Sequence, residues 1–398
     1  MPKRIGYLYE KMIALENCIE AERRIAKNKP KNQMARRIAR QAKKYGRRLH
    51  EKFLAGTIQF HENRETNITD SYKGKTRHLK IPCLEDQAVE AAWLNIATPY
   101  IERRNYYYNC GSIPKAGQSR AVDALKKWTT KINAKYAVTA DIRKFYDTCP
   151  HWVVMRGLRR IFKDEKFLAY AELMLSNMSG NGIGLAIGHP VSHWFANVAV
   201  MEIDHELRRR FPDVRFVRYM DNYGMICNNK RHLRKAFLFL KVEIEKLGMQ
   251  IKHDWQLFPV KARGIMFLSY RIYAGYTLIA KRLMFRIARK MRRAKEHLSV
   301  HMAMGVVSYL GILKHCNSYN FKKERVYPYI NQKNMQEVNF KCEQKQITQS
   351  VRWRMKSKTG TQDRKSSVSG RTSKKSKPRT GRSTRRTNTR WLSPPRKP

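Results

Sequence analysis

The residues best placed to do chemistry are two aspartates, Asp141 and Asp221, far apart in the chain on segments of strand-forming character. The run KYAVTADIRKFYDTCP holds an apolar strand pattern, Tyr136 to Ala140, that ends in Asp141. Residues 214–227 read VRFVRYMDNYGMIC, two β-forming runs flanking the pair Asp221-Asn222. Asp and Asn both tolerate left-handed backbone, so the pair suits a tight hairpin turn that lifts a carboxylate out of an apolar ribbon. Taken singly, each aspartate has a plain reading as a strand end or a hairpin turn. Brought together on one sheet, they suit a two-metal phosphoryl-transfer site, because hard divalent cations take anionic oxygen ligands.

Those two strands need a frame. Residues 6–56 have apolar positions at helical spacing (Tyr9, Met12, Ile13, Leu15, Ile19), then Lys/Arg-dense turns from Lys27 to Lys52. Residues 70–82 alternate basic and apolar around Lys73-Gly74, which predicts a basic β-hairpin. A helix is expected from about Glu85 to Tyr100, with Pro99 near its end. After the strand at 135–142 come helices over roughly 151–178, the glycine-rich turn SGNGIGLAIGHPVSH and a helix at 191–209. The hairpin precedes a basic helix (His232 to Leu247), the strand-like runs LGMQIKHDWQLFPV and GIMFLSYRIYA, and a basic helical stretch at 281–316. From about Gln344 apolar residues almost vanish, and residues 350–398 are expected to be a disordered basic tail.

Charge narrows the partners. The 398 residues carry 83 Lys+Arg against 31 Asp+Glu, a formal +52. Residues 351–398 hold 17 Lys/Arg and one Asp, and the other 350 residues still carry +36. A field of that sign over the whole body favours a polyanion, and nucleic acid is the expected one. No stretch approaches the ~20 apolar residues needed to span a bilayer, and MPKRIGYLYEKM lacks a signal-peptide core. The seven scattered cysteines form no C-x-x-C pair, which indicates neither a zinc site nor a disulfide framework and suits a reducing, cytosolic compartment.

The order of these elements, strand-Asp141, glycine-serine turn, Asp221 hairpin, lysine-bearing strand, resembles that of reverse transcriptases. The strings PCLEDQAVEAAWLNIATPYIE, IGHPVSHWFAN, LGMQIKHDWQLFPVKARGIMFLSYRI and SYLGILKHCNSYNF are similar to the bacterial and phage retroelement group, and within it to reverse transcriptases of diversity-generating retroelements. The resemblance covers roughly residues 6 to 321. It implies an α+β right-hand polymerase with an antiparallel palm sheet: a basic helical extension at 1–56, fingers at 57–135, palm at 136–275, thumb at 276–325, a linker at 326–349 and the tail.

It also implies roles for individual residues. Asp141 and Asp221, with the backbone carbonyl of Ile142, would hold two Mg²⁺ ions, for which Mn²⁺ can substitute. Lys75, Arg77 and Lys80 on the fingers hairpin would grip the nucleotide triphosphate, Arg77 foremost, because a guanidinium fork matches phosphate oxygens. Tyr146 would lie beneath the incoming sugar and favour deoxynucleotides. Gly188, Ser192 and Asn197 would lie along template and nucleotide, and the glycine would let backbone approach a base closely. Lys252 resembles the general acid for departing pyrophosphate, and His315, Asn317 and Tyr319 would touch the duplex. The implied partners are template RNA, cDNA, dNTPs and a small basic accessory protein, with no membrane, in a bacterial or phage-infected cell.

Two positions depart from the family pattern. Asn222 stands where a second Asp is usual, which removes a negative charge beside the ions while keeping an oxygen. His193 stands where the diversity-generating group has Gln, at a position tied to template-base contact. The sequence therefore leaves three readings open: an active diversity-type polymerase, an RNA-binding pseudo-polymerase weakened at Asn222, and a retron or phage-defence reverse transcriptase.

Overall fold

The computed structural model describes residues 3–330, apart from 28, 30, 31, 70–75, 115, 132, 133 and 298. Lys75, the linker beyond residue 330 and the whole basic tail lie outside the described residues. The apolar spacing of the N-terminal region produces four helices, Tyr9–Ile13, Leu15–Lys27, Gln33–Arg40 and Ala42–Leu54. Gly46 sets how closely the second and fourth of these approach. A Cβ there would meet the Ile19 backbone within 2.8 Å.

The fingers hairpin is longer than its sequence suggests. Strand β1 (Arg64–Thr69) pairs antiparallel with β2 (Thr76–Ile81), from Arg64 opposite Ile81 to Thr69 opposite Thr76. The run RETNIT has almost no buried side chain to mark it as a strand, so its pairing partner determines it. Helix Leu84–Arg104 then runs straight through Pro99, four residues beyond the expected end. It is buried nearly all round, with Trp93 stacked on Phe167 at 5.0 Å and Ile101 fully covered. That packing outweighs the single backbone hydrogen bond a proline removes.

The central sheet has the order β4-β5-β3-β6, all antiparallel: β3 (Tyr136–Asp141), β4 (Arg215–Tyr219), β5 (Asn222–Cys227) and β6 (Gln256–Pro259). Both of its faces are covered. Val138, Phe216 and Met225 join a core with helices Ser192–Arg210 and Lys230–Lys246, while Ala137, Val217 and Ile226 face helix Gly117–Lys131 and Phe267. Period-two alternation sends neighbours on each strand into opposite cores. The run LGMQIKHDWQLFPV is only partly strand. Ile251 makes an isolated bridge to Ile142, and regular pairing waits until Gln256.

A separate three-stranded antiparallel sheet follows, β7 (Ile265–Phe267), β8 (Tyr270–Ile272) and β9 (Thr277–Ile279). The basic helical stretch at 281–316 is two helices, Lys281–Glu296 and Val300–Leu313, the second started by Ser299, which accepts a hydrogen bond from the Met302 amide (3.2 Å). The short helix Tyr319–Arg325 completes this part. The fold is α+β, built on an antiparallel central sheet, as the right-hand resemblance implies. No helix among the described residues is long and apolar enough to cross a membrane.

Candidate active site

Strands β3 and β5 bring the two aspartates together. Asp141, the last residue of β3, pairs in register with Asn222, the first of β5. One residue on, the Ile142 amide donates to the Asp221 carbonyl at 3.0 Å, and Ile142 itself is buried. The hairpin tip differs from the sequence expectation. Strand β4 stops at Tyr219 and β5 begins at Asn222, so the two loop residues are Met220 and Asp221, and Asn222 is a strand residue. Met220 takes the left-handed conformation, with φ of 56°. Methionine rarely adopts it, so the surroundings must hold it there. Gly111 provides the room, since a Cβ at that residue would lie 2.4 Å from the Met220 nitrogen. The Arg218 guanidinium donates to the Met220 carbonyl at 3.2 Å.

Arg218 belongs to a fully buried polar network beneath the tip. Its Nε donates to Asp204 Oδ2 at 2.7 Å and its Nη1 to Asn197 Oδ1 at 3.1 Å, while the Tyr223 hydroxyl donates to Asp204 Oδ1 at 3.0 Å. Asn197 in turn donates to the Gly111 carbonyl at 2.9 Å and accepts from Asn109 at 3.1 Å. Residues 197, 204 and 111 thus connect helix Ser192–Arg210 to the loop that accommodates Met220. Neither Arg218 nor Asp204 was singled out from sequence. The available signal was an arginine inside the apolar run RFVRYM, where an inward charge requires a partner.

At the tip the electrostatics are less settled. Lys252 Nζ donates to Asp141 Oδ2 at 2.5 Å, and the Lys252 amide donates to the Asp141 carbonyl at 2.9 Å. Asp141 Oδ1 is buried with no hydrogen-bond partner among the described residues. Burial pushes the Asp141 carboxyl above its ordinary value, Lys252 opposes this, and the neighbouring Asp221 carboxylate adds to the rise. Asn222 Nδ2 donates to Asp221 Oδ1 at 2.8 Å, so the residue in place of a second Asp orients the first. This donor set fits a hard divalent cation. Two carboxylates converge, one oxygen lacks a partner, and a lysine ammonium already sits against the other oxygen of Asp141.

Tyr146 and His193, 47 residues apart, are brought together, with the hydroxyl 2.7 Å from Nδ1. Burial, then Asp221, raises the Tyr146 pKa while Arg77 lowers it, so ring, turn and fingers arginine lie in one electrostatic neighbourhood. Partial desolvation lowers the His193 pKa, which suits a neutral ring whose Nδ1 accepts from the tyrosine.

Other residues singled out from sequence are held differently. Lys80 donates to the Met178 carbonyl at 3.2 Å and lies 3.7 Å from Glu65, so its ammonium already has protein partners. Gly188 admits the fingers strand: at φ 129° its missing Cβ would fall 2.3 Å from the Lys80 carbonyl oxygen. Ser192 is buried and donates to the Ala186 carbonyl at 2.7 Å, and Asn197 is buried in the Arg218 network. Both act inside the protein and do not face an open groove. Asn317 exchanges hydrogen bonds with the Thr277 backbone (2.7 and 2.8 Å), while His315 and Tyr319 are exposed.

Two mixed groups, His61–Cys83–Asp86 and Asp213–Cys227–His232, each bring possible ligand atoms within 4.8 Å of one another. Cysteine spacing alone had indicated no such grouping, because each cysteine meets a histidine from another part of the chain. In each group the imidazole bonds the carboxylate, at 2.8 and 2.5 Å.

The family model for reverse transcriptase (RNA-dependent DNA polymerase) matches residues 64–272, just over half of the chain, and the chain belongs to this family. Protein YkfC of Escherichia coli (strain K12) is 25% identical over 175 residues, which is 41% of this chain and 45% of that protein. The chain thus spans less than half the length of this curated relative. Among solved structures, it is similar to telomerase from Candida albicans in complex with a TWJ fragment of telomeric RNA (11% identity, TM-score 0.44, 62% of this chain and 54% of that one). It is also similar to telomerase from Candida tropicalis with the same kind of fragment (12% identity, TM-score 0.42, 71% and 60%).

Proposed function

We propose that the chain is an RNA-directed DNA polymerase of a bacterial or phage retroelement, copying a structured template RNA into cDNA in the cytoplasm. The observation that carries this reading is the convergence of Asp141 and Asp221 at adjoining strand ends, with a buried carboxylate oxygen that has no partner among the described residues. These carboxylates, with the Ile142 carbonyl, would hold two Mg²⁺ ions, which when bound activate the primer hydroxyl and stabilise charge on the triphosphate. Asn222 keeps the Asp221 carboxylate oriented. Lys252 lies against Asp141 and would give a proton to departing pyrophosphate. Tyr146, braced by His193, packs where a deoxyribose would lie, and Arg77 approaches from the fingers. The basic body and tail bind the RNA backbone. The strings shared with diversity-generating retroelements support sequence diversification as the biological role, with a small basic accessory protein as partner.

The test is primer extension on an RNA template with dNTPs or rNTPs, in Mg²⁺ and in Mn²⁺. This reading expects DNA synthesis with dNTPs strongly preferred. A chain that holds RNA yet extends no primer in either metal would instead be a pseudo-polymerase.

A further inference from the structure

Three side chains from two segments meet at the root of the fingers hairpin. His61 lies shortly before β1, and Cys83 and Asp86 open helix Leu84–Arg104. Cys83 is the N-cap, its Sγ accepting from the Asp86 amide at 3.5 Å, which holds thiol and carboxylate side by side. His61 Nδ1 faces both, 3.4 Å from Cys83 Sγ and 2.8 Å from Asp86 Oδ1.

The trio is also held from behind. Asp86 is buried, and its Oδ2 accepts from the His61 amide at 3.0 Å, which leaves Oδ1 turned to the ring. Asn177 Nδ2 donates to the His61 carbonyl at 3.1 Å. Outer partners of this kind orient metal ligands in advance. Bond lengths of roughly 2.0–2.3 Å around a tetrahedral Zn²⁺ put its sulfur, nitrogen and oxygen donors about 3.3–3.6 Å apart. The sulfur–nitrogen spacing already matches, and the half-exposed ring need withdraw from the carboxylate by only about half an ångström.

The surroundings favour a cation. Asp86 lines a cavity of about 520 Å³ with Glu22, Glu51 and Glu85, set against Arg48 and a Lys52 already paired to Glu85 at 2.9 Å. Glu22 Oε2 is buried with no partner among the described residues. The Asp213–Cys227–His232 group has a less favourable setting, because Asp213 and Cys227 share their cavity with Arg215. Burial raises the Cys83 pKa, so an arriving ion displaces the thiol proton to solvent, as every thiolate site requires.

We propose that His61, Cys83 and Asp86 form a zinc site, with water in the fourth position, that ties the root of the fingers hairpin to helix Leu84–Arg104. Its mixed sulfur, nitrogen and oxygen donors set it apart from the all-oxygen ligands at the catalytic hairpin. The inference does not rest on polymerase activity.

The test is a titration of the full chain, stripped of metal by a chelator, with Co²⁺ as the probe. Cobalt bound to a thiolate gives a sulfur-to-metal charge-transfer band in the near ultraviolet, and cobalt bound to Asp141 and Asp221 alone gives none. One equivalent should produce the band, and Zn²⁺ should bleach it, because zinc binds the same donors more tightly. Cys83→Ser should abolish the band and keep the fold, since serine caps a helix well. Cys227→Ser should leave the band unchanged. His61→Ala should weaken Co²⁺ binding on the order of 100-fold, and it carries the test alone if Cys83→Ser fails to fold. Zinc should raise the melting temperature of the wild type but not that of Cys83→Ser. No band in the wild type, a band that survives Cys83→Ser, or one that is lost in Cys227→Ser overturns the proposal. The trio would then be a helix cap beside a histidine–aspartate pair.

Discussion

At the tip of the β4–β5 hairpin, Asp141 faces Lys252 with side chains 27% and 40% exposed, and one carboxylate oxygen has no partner among the described residues. Beneath the tip, Asp204 faces Arg218 with both side chains fully buried, and Tyr223 and Asn197 add further hydrogen bonds. The residue types are nearly the same and the outcomes differ. A charge pair closed off from water and hydrogen-bonded on several sides fixes a structure. On the proposed function, a pair left half-open, with a second carboxylate beside it, would exchange its lysine for a metal cation. The lower pair does the positioning, because Arg218 also holds the carbonyl of the left-handed Met220 that precedes Asp221.

The largest effect should come from the open pair. Asp141→Ala and Asp221→Ala should each lower primer extension about 10³-fold, while RNA affinity and melting temperature stay near wild type, because binding rests on Lys/Arg contacts elsewhere. Polymerisation at wild-type rates by either variant would break the contrast. The closed pair should behave in the reverse sense. Arg218→Met leaves Asp204 buried without its cation and should cost about 3–5 kcal/mol in urea denaturation. Adding Asp204→Leu should recover much of that loss. Unchanged stability in the single variant would show that the lower network does not hold the turn.

Smaller effects sharpen the picture. Asn222→Asp should raise Mg²⁺-dependent activity several-fold and reduce reliance on Mn²⁺, since it adds a carboxylate beside the ions. In metal-free buffer the same change should lower stability by about 1 kcal/mol, because the amide that donates to Asp221 is replaced by a like charge. Asp164 offers a third kind of aspartate, which accepts from the Leu8, Tyr9 and Phe167 amides at 2.7–3.1 Å. Partial burial raises its pKa, but those amides outweigh it and hold the carboxyl below its ordinary value. Its contribution is therefore present above the ordinary carboxylate range and lost as pH falls through the lowered folded value. Asp164→Asn should cost about 1 kcal/mol at pH 7, solvent screening keeping it small. Melts below about pH 4 should show the gap closing.

Much of this architecture is legible in the sequence, because long periodic segments and β-rich runs encode their own burial. The strand ending in Asp141, the hairpin bearing Asp221 and the helices on either side are of this kind. What escapes is decided by tertiary partners. β1 is too polar to read as a strand until β2 pairs with it. The turn falls at Met220–Asp221 because a glycine in a distant loop and a buried arginine accommodate it. Ser192 and Asn197 occupy positions that the resemblance assigns to the substrate groove, yet their polar atoms meet buried protein partners. The resemblance singles out Lys252, but its contact with Asp141 depends on the Ile142–Ile251 bridge, which no local pattern announces.

The central claim is that Asp141 and Asp221 together hold the metal ions of nucleotidyl transfer. Its most direct test is anomalous diffraction from crystals of the chain grown with Mn²⁺, a primer–template duplex and a non-hydrolysable dNTP. The expected result is two peaks about 3.5–4 Å apart between the two carboxylates, with Lys252 displaced from Asp141. The absence of any peak between Asp141 and Asp221 in a complex that has bound primer, template and nucleotide would contradict the account.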